Sequence, residues 1–462
     1  MQDQHVQRRF ADIRHDFERG HLTPRAYLEE RIARIAGSSL RAFCATAFDE
    51  ARQAADASTQ RYRHGQALGP CDGMPVGIKD VIDTADMATE YHSRLFKGHR
   101  PRIDALCVSA LRRGGALIVG KTATTEFAIG AAAETVNPHD AAHTPGGSSS
   151  GAGAAVAAGL VPASLATQTQ GSILRPASYC GAVGFKPTWG VLSLAGVHPA
   201  AASQDHLGVI ADSVQTAWDI LNEIGCDRAN ASHGAHWPAL PALMAVPPSS
   251  IRAGILRTPH LAELPDGALQ AFDDALRRLS GRGVALIELS GTPTGMAIAP
   301  SFKAIPELSR RVLAFELAHP FQQYGQRYPD RIGHRVKTWI QESYTVSAAD
   351  YDKAKRQRAH ALRLIEDLKA HVDVLLLPAS SGCAPRGLAD TGSRSLQTYA
   401  SFLGLPACSL PLMRVDGLPF GLQLIGFSGE DHRLASMAQA LMNGSPLDGP
   451  MTGTRATRRA SA

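Results

Sequence analysis

Apolar positions set the first expectations. Thr23 followed by Pro24 reads as a helix N-cap with proline at the first helical position, and Leu28, Ile32 and Ile35 then recur on one helical face. Residues 1–69 are therefore expected to form an amphipathic helical arm ahead of a larger domain over 70–443. From Pro75 the pattern changes to short β-rich runs at 75–82, 116–120 and 183–187, with a helix at 104–113 stopped by Gly114. Further helices are predicted at 212–224, 268–279, 351–368 and 431–442, and strands at 253–256, 284–289, 372–377 and 420–425. Strand alternating with helix predicts an α/β fold: a mixed, mostly parallel sheet covered by helices on both faces. After Asn443 the tail, residues 444–462, has too few apolar residues to pack and is expected to be mobile.

Composition narrows the class. The 462 residues are 44% hydrophobic and 19% charged, which excludes a disordered or fibrous chain. Lys and Arg number 47 against 42 Asp and Glu, and the resulting charge of +5 is too small and too scattered to suggest a nucleic-acid partner. Seven widely spaced cysteines offer neither a C-x-x-C metal site nor a compact disulfide framework, so buried thiols in a reducing compartment are expected. The N-terminal ten residues lack a secretory apolar core, and no stretch reaches the ~20 apolar residues of a membrane span. A cytoplasmic protein with no membrane partner is the expectation, in which the sequon at Asn230 is chance.

Three local motifs compete for the chemistry. Gly115-Ala116-Leu117-Ile118-Val119-Gly120-Lys121-Thr122 fits the phosphate-binding pattern G-x-x-x-x-G-K-[ST], but its variable positions are themselves a strand. His139 and His143 have the i,i+4 spacing of a zinc helix, yet Pro138 and Pro145 flank them and favour a loop. Ser149 sits in the G-x-S-x-G of Gly147–Gly151 without the strand that a nucleophile elbow needs before it. No metal and no cofactor are expected.

The Gly, Ser and Ala density at 146–159 is better explained by three separated pieces read together. These are Gly77-Ile78-Lys79-Asp80, then Pro145-Gly146-Gly147-Ser148-Ser149-Ser150-Gly151, then Thr169-Gln170-Gly171-Ser172, with Ser172 lying 24 residues after Ser148. Their order and spacing resemble the amidase signature family, and the resemblance runs from about Leu22 through the Gly184-Phe185-Lys186-Pro187-Thr188 run to residues 417–423. It implies a Ser-cisSer-Lys triad: Lys79 as base, Ser148 as relay after a cis bond from Gly147, and Ser172 as nucleophile. It also implies an oxyanion hole from backbone N–H groups of Thr169, Gln170, Gly171 and Ser172. Lys79 follows the apolar run Val76-Gly77-Ile78, so burial would lower its pKa, whereas the plain alternative is a solvated lysine.

Two positions depart from the family pattern: Gln170 stands where glycine is usual, and His92 stands where relatives commonly have glycine. If residue 170 takes a positive φ, glutamine is strained there. His92 is either structural or a lining residue of the substrate pocket. Ser172-Ile173-Leu174-Arg175-Pro176-Ala177, with Asn137-Pro138-His139 and Ile82-Asp83-Thr84-Ala85, resembles the malonamidase-like branch. There the arginine faces a substrate carboxylate, so Arg175 is either a substrate contact or part of a structural ion pair under the turn. Cys180 reads as a packed thiol.

The resemblance thus implies an amidohydrolase cleaving a small linear amide through an acyl-enzyme, as a homodimer with no nucleic-acid partner. The alternatives are the glutaminase subunit of a tRNA-dependent amidotransferase, and a silent amidase-like binding protein suggested by Gln170 and His92.

Overall fold

A computed structural model describes residues 8–233, 236–237 and 242–443. The tail at 444–462 lies outside them. Eleven strands among the described residues are β1 Phe43–Thr46, β2 Pro75–Lys79, β3 Leu117–Thr122, β4 Ala163–Gln168, β5 Val183–Lys186, β6 His206–Ala211, β7 Arg252–Ile255, β8 Ala285–Glu288, β9 Val374–Pro378, β10 Ala407–Val415 and β11 Leu418–Ile425. They form one sheet in the order β1-β3-β2-β4-β6-β5-β10-β11-β9-β7-β8.

The sheet is mixed, as expected, but it is not mostly parallel. Parallel pairing is confined to β3-β2-β4 and β9-β7-β8, and every other neighbouring pair is antiparallel. The reason is local: β10 and β11 are joined by a tight turn at Asp416-Gly417, which only antiparallel neighbours allow. β5 and β6 likewise pair antiparallel to one another and to their flanking strands.

Within residues 1–69 the expected helix is Pro24–Ala36, and the Thr23 hydroxyl accepts from Ala26 N–H at 3.1 Å. Such a cap contributes about 1 kcal/mol. Helices Phe10–Glu18 and Phe48–Arg63 accompany it, but so does β1, whose four residues carry no clear alternation; β1 adds to the sheet edge beside β3. Phe10, Phe17 and Tyr27 pack together in the main core, with ring centroids about 6 Å apart, so these segments are built into the body of the protein.

The fold positions the site through β2 and β4. They are parallel neighbours, with Ile78 opposite Leu165, so their C-terminal ends bring Lys79 beside Thr167 and the turn at 169–172. Helix Ser150–Ala157 packs close by and is buried from Ser150 to Val156. It is made of Gly, Ala, Ser and Val because backbone lies against it: a Cβ on Gly151 would overlap Ala42 O and Ala123 N. No helix among the described residues is long and apolar enough to cross a membrane.

Candidate active site

Lys79 is fully buried at the end of β2. Its Nζ lies 2.8 Å from Ser148 Oγ, 2.8 Å from Thr167 Oγ1 and 3.2 Å from Thr167 O. Three partners suit both protonation states. An ammonium donates to all three, while a neutral amine donates twice to Thr167 and offers its lone pair to the Ser148 hydroxyl. Burial pushes the Lys79 pKa down to about 7; Asp205 opposes the shift and Arg175 adds to it. The solvated alternative for Lys79 is thereby excluded. The Gly147–Ser148 peptide is cis, and Gly147 fits because a Cβ there would come within 2.7 Å of the Thr391 methyl.

Ser148 and Ser172 line one cavity of about 620 Å³, walled also by the segment 125–130, the helices Pro293–Glu316 and His334–Ser343 and the segment 390–394. The turn that carries Ser172 is fastened from two sides. Gln168 accepts from the N–H groups of Ile173 and Leu174 at 2.8 and 3.0 Å and donates to Ser401 Oγ at 2.7 Å. Thr169 Oγ1 donates to Asp205 at 2.5 Å, and the other Asp205 oxygen accepts from the N–H groups of Ala200 and Ala201. Among the described residues, the N–H groups of Thr169, Gln170, Gly171 and Ser172 have no hydrogen-bond acceptor. A small turn with consecutive free donors on a cavity is the geometry that stabilises an oxyanion.

The expected strain at Gln170 is absent. Its φ is not positive, its side chain donates to Ser309 Oγ at 3.1 Å and its carbonyl accepts from Ser401 Oγ at 2.9 Å. Glutamine is thus held as part of the cavity wall. His92 is not brought to the cavity: it is exposed and outside the lining, and its φ of 50° is the left-handed conformation that glycine adopts without cost. Arg175 lines the cavity, but its guanidinium is directed to protein oxygens. It donates to Gly147 O at 2.5 Å, Thr391 Oγ1 at 3.2 Å and Ser393 O at 3.3 Å, joining the peptide before Ser148 to the cavity wall. Neither carboxylate ion pair nor open fork is formed. Burial pushes its pKa down to about 10.

The family model named Amidase matches residues 26–435, most of the chain. The chain belongs to the amidase family. A glutamyl-tRNA(Gln) amidotransferase subunit of Chloroflexus aggregans is 34% identical over 91% of this chain and 93% of its own. A solved amidase superposes with a TM-score of 0.82 at 28% identity over 94% of this chain and 99% of its own. Native peptide amidase from Stenotrophomonas maltophilia gives 0.78 at 28% identity, over 95% and 96%. The protein is an amidase, an enzyme acting on C–N bonds.

In this amidase the competing motifs are structural. Lys121 of the phosphate-type motif is buried, donating to Thr89 Oγ1 at 2.8 Å and to Ile82 O, with Asp80 at 3.7 Å. His139 lies in a loop and bonds Cys180 O at 2.8 Å, while His143 pairs with Asp140 at 3.0 Å. Among the described residues no group of three or more His, Cys, Asp or Glu is arranged to hold a metal. Ser149 is fully buried beneath the Thr167 carbonyl at 3.4 Å. Cys180 is buried against Pro145 O, and burial raises its thiol pKa. Asn230 of the sequon is buried, accepting from Ser193 N–H at 2.7 Å. Sequence reasoning missed Thr167, Gln168, Asp205, Ser401 and the cavity residues Trp339 and Arg394. Their roles depend on distant strands and helices meeting, and no local pattern marks them.

Proposed function

We propose that this amidase hydrolyses an amide through Lys79, Ser148 and Ser172. The observation that carries the reading is the buried Lys79 amine, at a pKa of about 7, 2.8 Å from Ser148 Oγ on the cavity that Ser172 also lines. Neutral Lys79 takes the Ser148 hydroxyl proton while Ser148 takes that of Ser172, and Ser172 Oγ attacks the amide carbonyl carbon. The carbonyl oxygen becomes an oxyanion held by N–H groups of the turn 169–172. Collapse breaks the C–N bond as the proton returns through Ser148 to the leaving nitrogen. Water then attacks the acyl-enzyme by the same relay and releases the acid. Three intact reacting groups with free oxyanion donors favour this over a silent binding protein.

The relatives carry amide chemistry in two settings. Sequence favours the first, the glutaminase component of a tRNA-dependent amidotransferase, because the curated relatives are named as subunits of glutamyl-tRNA(Gln) amidotransferase. In that setting partner subunits replace the expected homodimer. The second setting, a free-standing hydrolase of a small linear amide, is favoured by the structural likeness to an amidase and a peptide amidase. Ammonia release by the purified chain alone tests both readings. Ser172-dependent release from small amides without a partner supports the free-standing enzyme, and release from glutamine only when partner subunits are added supports the amidotransferase component.

A further inference from the structure

Four guanidinium groups line the cavity that holds Ser148 and Ser172, and three of them are engaged by the protein. Arg175 is bound to the oxygens of Gly147, Thr391 and Ser393. Arg310 forms a two-pronged pair with Glu342 at 2.7 and 2.8 Å. Arg335 donates to Ala389 O at 3.1 Å and Asp390 at 3.2 Å, and the second Asp390 oxygen accepts from Gly392 N–H at 2.7 Å.

Arg394 differs. Its guanidinium forms no hydrogen bond or ion pair among the described residues, and its guanidinium carbon stands 5.7 Å from the Trp339 ring centroid. Arg310 stands at the same 5.7 Å from that ring. A cation–π contact engages the charge of a guanidinium and not its N–H donors, and Arg394 is reached from the cavity. The surrounding protein lowers its pKa by desolvation; Asp390 and Glu342 oppose the shift, and Arg310 and Arg335 add to it. Four guanidiniums against the two carboxylates Glu342 and Asp390 leave the cavity cationic, with both carboxylates already paired.

We infer that Arg394 is a specificity-determining residue that grips a carboxylate at the far end of the substrate from its amide. The substrate class is then a small amide bearing a carboxylate with no ammonium beside it, because a zwitterion such as glutamine would bring a cation to a cavity whose carboxylates are occupied. The planar fork of arginine pairs with a carboxylate through two parallel hydrogen bonds, which an ammonium group does not reproduce. The inference rests on the reading of Ser172 as nucleophile only for the placement of the amide, and it favours the free-standing setting.

The test has two arms. Calorimetric titration with malonate, succinate and glutarate is made on wild type, Arg394→Gln and Arg394→Lys. Turnover of malonamate, succinamate, glutaramate and glutamine is compared with that of neutral amides of equal length. Binding of at least one dicarboxylate is expected, weakened about tenfold or more in Arg394→Gln and partly restored in Arg394→Lys. The preference in kcat/KM for carboxylate-bearing over neutral amides should fall by a similar factor, mainly through KM, and glutaramate should exceed glutamine. Wild type that binds no dicarboxylate, an unchanged affinity in Arg394→Gln, or a preference for glutamine over glutaramate would overturn the inference. Hydrolysis that survives Ser172→Ala, or no hydrolysis of any amide, would instead remove the nucleophile reading, while the titration still decides whether Arg394 holds an anion.

Discussion

Asp205 holds Thr169 by a 2.5 Å hydrogen bond from the threonine hydroxyl, and through it fixes the turn that presents Ser172. The aspartate is itself oriented by the N–H groups of Ala200 and Ala201 at 2.8 and 2.9 Å. In the proposed mechanism Asp205 is thus a positioning residue for the oxyanion donors. Thr169→Val removes the hydroxyl while preserving shape, and is expected to lower kcat about 10- to 100-fold with little change in KM. Steady-state kinetics with a thermal melt for each variant separates this outcome from simple unfolding; a change confined to KM would contradict it.

Lys79 gives two pH signatures. With the neutral amine as base in the proposed mechanism, kcat/KM should rise with pH and level off above the Lys79 pKa of about 7, and Lys79→Met should lower it about 1,000-fold or more. Stability has its own sign. Between the ordinary lysine value of 10.5 and about 7, the unfolded chain binds a proton at this residue that the folded chain does not. Folding is therefore penalised increasingly as pH falls across that window, by about 1.4 kcal/mol per unit. Lys79→Met lacks this penalty, so denaturant titrations at pH 7 and 9 should show the stability of the variant gaining on wild type at the lower pH.

Arg175 separates a structural from a substrate role by the pattern of loss. Its bonds to Gly147 O, Thr391 Oγ1 and Ser393 O predict that Arg175→Met slows neutral and carboxylate-bearing amides alike, about tenfold or more, with the loss in kcat. A loss confined to KM for the acidic amides would instead make Arg175 the carboxylate contact. Kinetics on one amide of each kind decides the matter.

Gly151→Ala tests the packing that places the Ser148 segment. The added methyl would meet Ala42 O and Ala123 N, which belong to backbone and have little room to yield. A destabilisation of about 1–3 kcal/mol is expected, read as a lower urea midpoint with unchanged slope. An unchanged midpoint would show that the helix can shift away from the sheet.

The proposed reacting groups were legible in the sequence because Lys79, Ser148 and Ser172 lie in short motifs whose order and spacing are visible along the chain. Some strands were legible as an unbroken apolar run, as in β9, and others as apolar residues spaced by Gly, Pro or polar ones, as in β11. β1, β4, β6 and β10 were not assigned: β4 reads Ala-Ser-Leu-Ala-Thr-Gln, fully buried yet without an apolar run, since small polar side chains are paired inside. Strand direction was also hidden, because the apolar pattern does not record which neighbour a strand will choose. Asp205 and Arg394 escaped notice for a related reason. The first gains its meaning from Thr169, 36 residues earlier, and the second from Trp339 and a cavity assembled from distant helices.

The central claim is that Ser172 becomes acylated, and the most direct measurement is intact-protein and peptide mass spectrometry after rapid acid quench during turnover of an activated amide. The account predicts an added acyl mass on the peptide that carries Ser172 in wild type, absent in Ser172→Ala and formed far more slowly in Lys79→Met. An acyl group found on another residue, or full turnover by Ser172→Ala, would contradict it.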